Sequence, residues 1–132
     1  MVDTSALFAI MNGELEEQRF HDLLLEHEPV ISGGTMIESQ RVVQFAFADV
    51  GLETLDQLLG AYGIEIAPVD RDHVAAARDG MLRFGKGRAR APAVLNFGDL
   101  FAYAAAKTLD LPLLFTGDDF AQTDVKAVPL PG

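Results

Sequence analysis

The chain contains no cysteine. Disulfides and cysteine-ligated zinc are therefore excluded, and a reducing, cytoplasmic setting is expected. No uninterrupted apolar run reaches the roughly 20 residues that a membrane-spanning helix needs. No basic start followed by an apolar stretch reads as a signal peptide. No membrane partner is expected. Basic residues are scarce: 10 Lys and Arg face 20 Asp and Glu, a formal charge of −10. Contacts to a phosphate backbone ordinarily need a basic surface, so this balance argues against nucleic acid. The distribution qualifies it. Arg83, Lys86, Arg88 and Arg90 sit together in RFGKGRARAP with no acid among them. Such a strip can guide a phosphate backbone, while the acidic remainder could repel RNA or attract a basic protein.

What is present is enough apolar material for one compact domain over residues 1–132, with 49% hydrophobic residues. Short strand patterns alternate with helical ones. MVDTSALFAIMN opens as a clipped strand and then a helix from about Thr4. Residues 14 to 27 carry Leu15, Phe20, Leu23 and Leu24 at helical spacing. PVIS reads as a strand, TMIESQRVVQFAFADV as a helix ending near Gly51, residues 52 to 63 as another, and IEIAPV as the clearest alternating strand. Asp70 or Asp72 caps a helix to about Arg83, an irregular glycine-containing loop follows, and then the helical run after Asp99. PLLFTG and VKAVPL are the last strands, with a short helix or loop between. This alternation predicts an α/β fold with a central parallel sheet between helices.

Five acids stand at the ends of these strands or the starts of these helices. Asp3 precedes Thr4 and Ser5 and can cap a helix. Glu38 lies three residues after Thr35, the spacing of a capping box. Asp99 begins a helix, where an acid gains from the helix dipole, unless Asn96 is the cap. Asp118 and Asp119 follow LLFTG and fit a turn. Each has a local explanation. Yet ligands of open parallel sheets bind outside the strands' carboxyl ends, and these residues share that edge. Four carboxylates crowded there would repel one another unless a hard divalent cation, Mg²⁺ or Mn²⁺, offsets the charge. His21, His27 and His73 are scattered and read as surface residues, so zinc is not expected.

The motifs VDTSAL, a lone glutamate in the second αβ unit, GKGR leading into LNFGDLFAYAAAK, and LLFTGDDF run in order along nearly the whole chain. In this they resemble the PIN-domain ribonucleases, specifically the VapC-type toxins of toxin–antitoxin pairs. The resemblance implies a three-layer α/β/α domain and a metal-dependent endoribonuclease. Its acidic quartet falls on Asp3, Glu38, Asp99 and one acid of TGDDF. The family often separates the two acids of that last motif; here they are adjacent, and Asp118, directly after the glycine, is the favoured one. Asp3 and Asp99 would be direct ligands, and Glu38 and Asp118 would act through waters or a second ion. Water would attack the phosphodiester in line, leaving a 5′-phosphate and a 3′-hydroxyl. Thr4, Ser5 and Asn96 would orient the carboxylates. Arg83, Lys86, Arg88 and Arg90 would bind RNA phosphates.

Phe84 and Phe97 could stack on bases, though core packing is the plainer expectation for both. The resemblance also implies a homodimer and a VapB-type antitoxin. Phe45 and Phe47 read first as ordinary core; otherwise the apolar patterns at 14 to 27 and 36 to 48 predict a groove for an antitoxin segment, with an arginine reaching the acidic pocket. Two other classes compete. A receiver-like Mg²⁺-binding signalling domain would want paired acids after the first strand and a lysine after the last. A catalytically inactive PIN module would keep the fold and only bind partners.

Overall fold

Parallel pairing organises the chain. The computed structural model describes residues 1–87 and 94–130. Strand β1 (Val30–Ser32) pairs in parallel with β2 (Glu65–Ala67), Ile31 opposite Ile66. On the other side of β1, the Val2 N–H donates to the Val30 carbonyl at 2.8 Å. The N-terminal segment then bridges to Leu114, with Asp3 N–H donating to the Leu114 carbonyl at 3.0 Å. Leu113 in turn bridges to Ala127. The spatial order is therefore 65–67, 30–32, 1–3, 113–114 and 126–128, all parallel. The expected strands occupy their expected places, but pairing of the N-terminal and last two segments is reduced to single bridges.

The helices follow their apolar periodicity: α1 (Thr4–Met11), α2 (Glu17–Glu26), α3 (Gly33–Phe47), α4 (Asp49–Tyr62), α5 (Arg71–Phe84) and α6 (Phe97–Leu109). Two apolar clusters cover the sheet. Leu7, Phe20, Val43 and Leu55 pack α1 to α4 together with Ile31. Leu100, Tyr103, Leu113 and Phe120 form the second cluster with α6. Gly80 of α5 lies where any Cβ would strike the Tyr103 ring, which is how α5 and α6 approach closely. The Tyr103 hydroxyl donates to Asp124 at 2.7 Å and ties the C-terminal segment to that layer. This is the expected three-layer α/β/α arrangement.

Three expectations are corrected here. The helix meant to run to Gly51 breaks at Ala48, whose φ of 60° and ψ of −158° end α3 and start α4. Alanine carries no sequence signal for such a break. His73 is buried at 3% exposure rather than on the surface, because it follows the Asp70 cap on the inner face of α5. Phe97 is 75% exposed rather than in the core, because it occupies the first position of α6. Phe84 does pack inward, against Tyr103 at 6.0 Å between centroids.

Ala48 holds a conformation that costs a non-glycine residue roughly 1–3 kcal/mol. Ala48→Gly should therefore raise the thermal midpoint, corresponding to about 1 kcal/mol once the greater freedom of the unfolded chain is subtracted. An unchanged or lower midpoint in a calorimetric scan would contradict this.

Candidate active site at the carboxyl edge of the sheet

Asp3 leaves the N-terminal strand and caps α1. Its Oδ2 accepts the Ser5 N–H at 3.0 Å and the Ser5 hydroxyl at 2.6 Å. The Ser5 hydroxyl accepts the Thr116 N–H at 3.0 Å, so two strand ends are joined through one side chain. Asp3 is only 4% exposed, and its Oδ1 is buried without a partner. Burial raises its pKa; the Ser5 bonds oppose this and the Glu38 charge adds to it.

Glu38 does not close a capping box with Thr35. Ser32 is the N-cap of α3, accepting the Gly34 N–H at 3.2 Å. Released from capping, Glu38 Oε1 accepts the Thr4 hydroxyl at 2.6 Å. Thr4 Oγ1 also lies 2.9 Å from Ser39 Oγ, and the Ser39 hydroxyl donates to the Thr35 carbonyl at 2.8 Å. Ser39 escaped the sequence reading; one helical position beyond Glu38 was the only hint. At Gly98, any Cβ would fall on the Glu38 carboxylate. The glutamate thus rests against the backbone beside Asp99.

Asp99 does form a capping box. Its N–H donates to Asn96 Oδ1 at 2.9 Å, and its Oδ2 accepts the Asn96 N–H at 3.0 Å. Capping and charge clustering coexist in this residue. Its carboxyl is pushed up to about 6 by burial first, then by the charges of Asp3 and Asp119, against the Asn96 bond and the Lys86 charge. Of the two adjacent acids in TGDDF, Asp119 is among the charges that raise Asp99. Both acids are exposed, and the Asp118 carbonyl accepts from the Gln122 amide at 3.5 Å.

The basic strip divides. Arg83 is engaged by Asp79 and Asp124, each at 3.1 Å, and lies over the Phe84 ring. Lys86 is exposed and its charge reaches Asp99. Its backbone is fixed by a bond from its N–H to the Leu95 carbonyl at 2.9 Å. Arg88 and Arg90 lie outside the described residues. Lys126 pairs with Asp110 at 3.1 Å.

Among the described residues no three acids or histidines converge tightly enough to close around an ion as they stand. The donor chemistry nevertheless fits one. The edge offers oxygen donors and no thiolate, Asp3 Oδ1 has no protein partner, Glu38 raises the Asp3 carboxyl and Asp3 raises that of Asp99. That set suits a hard divalent cation rather than zinc or copper.

The family model described as the PIN domain matches residues 1–126. The chain is a PIN-domain protein. It is 37% identical over 132 residues to Ribonuclease VapC30 of Mycobacterium tuberculosis, covering 99% of each chain. It is 39% identical over 130 residues to Ribonuclease VapC of Mycolicibacterium smegmatis, covering 97% of this chain and 98% of that one. The PIN domain's VapC membership follows from these relatives. In fold it is similar to the DNA-bound VapBC structure from Salmonella typhimurium, at a TM-score of 0.71 and 16% identity, covering 98% of this chain and 95% of that chain. The VapBC2 structure from Rickettsia felis matches at a TM-score of 0.70 and 17% identity, covering 98% and 96%.

The raised Asp99 carboxyl gives a stability prediction for this PIN domain. Its folded pKa of about 6 exceeds the ordinary 3.8, so ionisation costs stability. That cost is absent below about pH 4, grows as pH rises through the folded value, and is complete above it. In cation-free buffer at pH 7, Asp99→Asn should be more stable than the wild type by about 1 kcal/mol, after discounting for partial exposure. The difference should vanish near pH 4. Urea denaturation at both pH values checks it; a less stable variant at pH 7 would contradict it.

Proposed function

We propose that this PIN domain is the toxin endoribonuclease of a toxin–antitoxin pair and hydrolyses RNA phosphodiester bonds at the Asp3–Asp99 edge. The observation that carries the reading is that the charge of Asp3 is felt at Asp99, far away in sequence, while Asp3 keeps a buried oxygen unpartnered. The names of the VapC relatives, ribonucleases at 37–39% identity over nearly the full chain, support it.

Asp3 and Asp99 would hold the divalent ion, and Glu38 and Asp119 would complete its oxygen environment. Asp119 replaces Asp118 in this reading because its charge adds to the rise at Asp99. Bound there, Mg²⁺ or Mn²⁺ would lower the pKa of water and neutralise charge on the phosphate. The chain's own groups prepare the site. Ser5 occupies Oδ2 of Asp3 and leaves Oδ1 buried without a protein partner. Thr4, braced by Ser39, fixes the Glu38 carboxylate. Asn96 fixes one oxygen of Asp99. Lys86 offers a cation to a nonbridging phosphate oxygen. In-line attack by water breaks the bond between phosphorus and the 3′ oxygen, leaving a 5′-phosphate and a 3′-hydroxyl.

A VapB-type antitoxin is the partner in this reading. Its apolar segment would cover the exposed Phe45 and Ile37 on α3, while Phe47 is taken up in stacking on Phe8 at 5.7 Å. Self-association into a homodimer belongs to the same proposal.

With purified chain and structured RNA, cleavage should require Mg²⁺ or Mn²⁺ and stop with chelator. Thr4→Val should slow it by about 10- to 100-fold, as loss of a carboxylate-orienting group does. Asp99→Asn and Asp3→Asn should cost more. Gly98→Ala, which evicts the Glu38 carboxylate, should also lose activity while remaining folded. Cleavage that survives both chelator and Asp99→Asn would contradict the proposal.

A further inference from the structure

Helices α3 and α6 meet through a reciprocal contact near their amino ends. Gly34 of α3 lies so close to Phe101 of α6 that any Cβ would fall inside the ring. Gly98 of α6 lies where any Cβ would fall on the carboxylate of Glu38, from α3. Each helix therefore supplies one glycine and one bulky side chain, and each glycine takes up the side chain of the other helix. Positions 34 and 38 share one face of α3, and positions 98 and 101 share one face of α6. Glycine permits this approach because it has no Cβ to hold the two elements apart.

The contact sets one dimension of the acid edge. Toward Asp3, Glu38 is held by the Thr4 hydroxyl at 2.6 Å, and Thr4 directly follows Asp3 in the chain. Toward Asp99, among the described residues, no hydrogen bond from α6 holds the Glu38 carboxylate; packing does. The carboxylate rests on Gly98, the residue before Asp99, and Gly34 lies about one helical turn from Glu38. How near α3 sits to α6 at this turn is therefore decided where Gly34 meets the Phe101 ring. Gly34 is buried, so an added methyl group has to displace either the ring or the helix.

The same edge carries an independent sign of a ligand: Asp3 is 4% exposed and its Oδ1 has no protein partner. An oxygen-lined edge whose width is held from both sides can discriminate ions by size. Mg²⁺ takes oxygens at roughly 2.0–2.1 Å in near-ideal octahedral geometry, whereas Ca²⁺ takes them at roughly 2.3–2.6 Å and tolerates irregular arrangements. We propose that Gly34 is a positioning residue for ion selection: by letting α3 close onto Phe101, it sets the Glu38-to-Asp99 width for an ion of Mg²⁺ size over one of Ca²⁺ size. The inference rests on the nuclease reading and deepens it. Gly34 touches neither ion nor RNA; it acts through Glu38.

The test uses the full, RNA-free chain. Bound Mn²⁺ is followed by electron paramagnetic resonance and displaced with Mg²⁺ or Ca²⁺, which gives the affinity for each competitor. Gly34→Ala should weaken Mg²⁺ about tenfold, the scale for loss of a group that orients a metal ligand, and leave Ca²⁺ nearly unchanged. The preference for Mg²⁺ then narrows by the same factor. Phe101→Trp, which enlarges the other side of the contact, should move the preference in the same direction. The double variant Gly34→Ala/Phe101→Leu, which returns the space, should restore it. Circular dichroism checks the fold of each variant; where Gly34→Ala does not fold, Phe101→Trp decides. Equal weakening of both ions, as general loosening of the edge would give, overturns the proposal. So does an unchanged preference in folded Gly34→Ala or Phe101→Trp, or a double variant that stays shifted. If the unaltered chain binds no Mn²⁺, the metal-dependent nuclease reading fails and takes this proposal with it. If it binds Mn²⁺ and the folded variants keep its preference, only the spacing role of Gly34 fails.

Discussion

Like charges held together at the carboxyl edge of the sheet are the constraint on which this protein turns. Asp3 is carried there by the N-terminal strand and Asp99 by the first turn of α6, and Glu38 rests against Gly98 beside Asp99. Ionised carboxylates at such spacing cost stability, and burial of Asp3 increases that cost. The fold offsets it with directed bonds. Ser5 joins Asp3 to Thr116, Thr4 and Ser39 anchor Glu38, and Asn96 anchors Asp99. These bonds orient the acids without neutralising them. In the proposed function, a cation is the ligand that offsets them.

Capping and function turn out to use the same atoms. Asp3 caps α1 and Asp99 closes a box with Asn96, yet each bond consumes only one carboxylate oxygen. The bland and the chemical explanations of these residues are therefore complementary. The cap fixes the side chain's direction, and the remaining oxygen is what a ligand meets. Glycine plays a parallel part where backbones crowd: Gly98 admits the Glu38 carboxylate, and Gly34 admits the Phe101 ring.

Much of the architecture was legible in the chain. The alternating IEIAPV strand, the apolar run of α6 and the Asp70 cap are local signals, and local chemistry produced them. What escaped was set by contacts between distant segments. Ala48 breaks a helix although nothing in its side chain demands it. Glu38 looked like a partner for Thr35 but bonds to Thr4, 34 positions away. Arg83 looked free for phosphate, yet Asp124 draws it in from 41 positions on. Asp118 and Asp119 are adjacent and both exposed, so spacing alone could not distinguish them. His73 and Phe97 were misjudged because burial of a single histidine or phenylalanine depends on the helix face it receives.

Titration of the RNA-free chain with Mn²⁺, followed by electron paramagnetic resonance, tests the shared-ion claim most directly. Saturable binding that is lost in Asp3→Asn and in Asp99→Asn alike is the predicted result, because neither acid holds the ion alone. Binding that persists unchanged in either variant, or no binding by the unaltered chain, would contradict it.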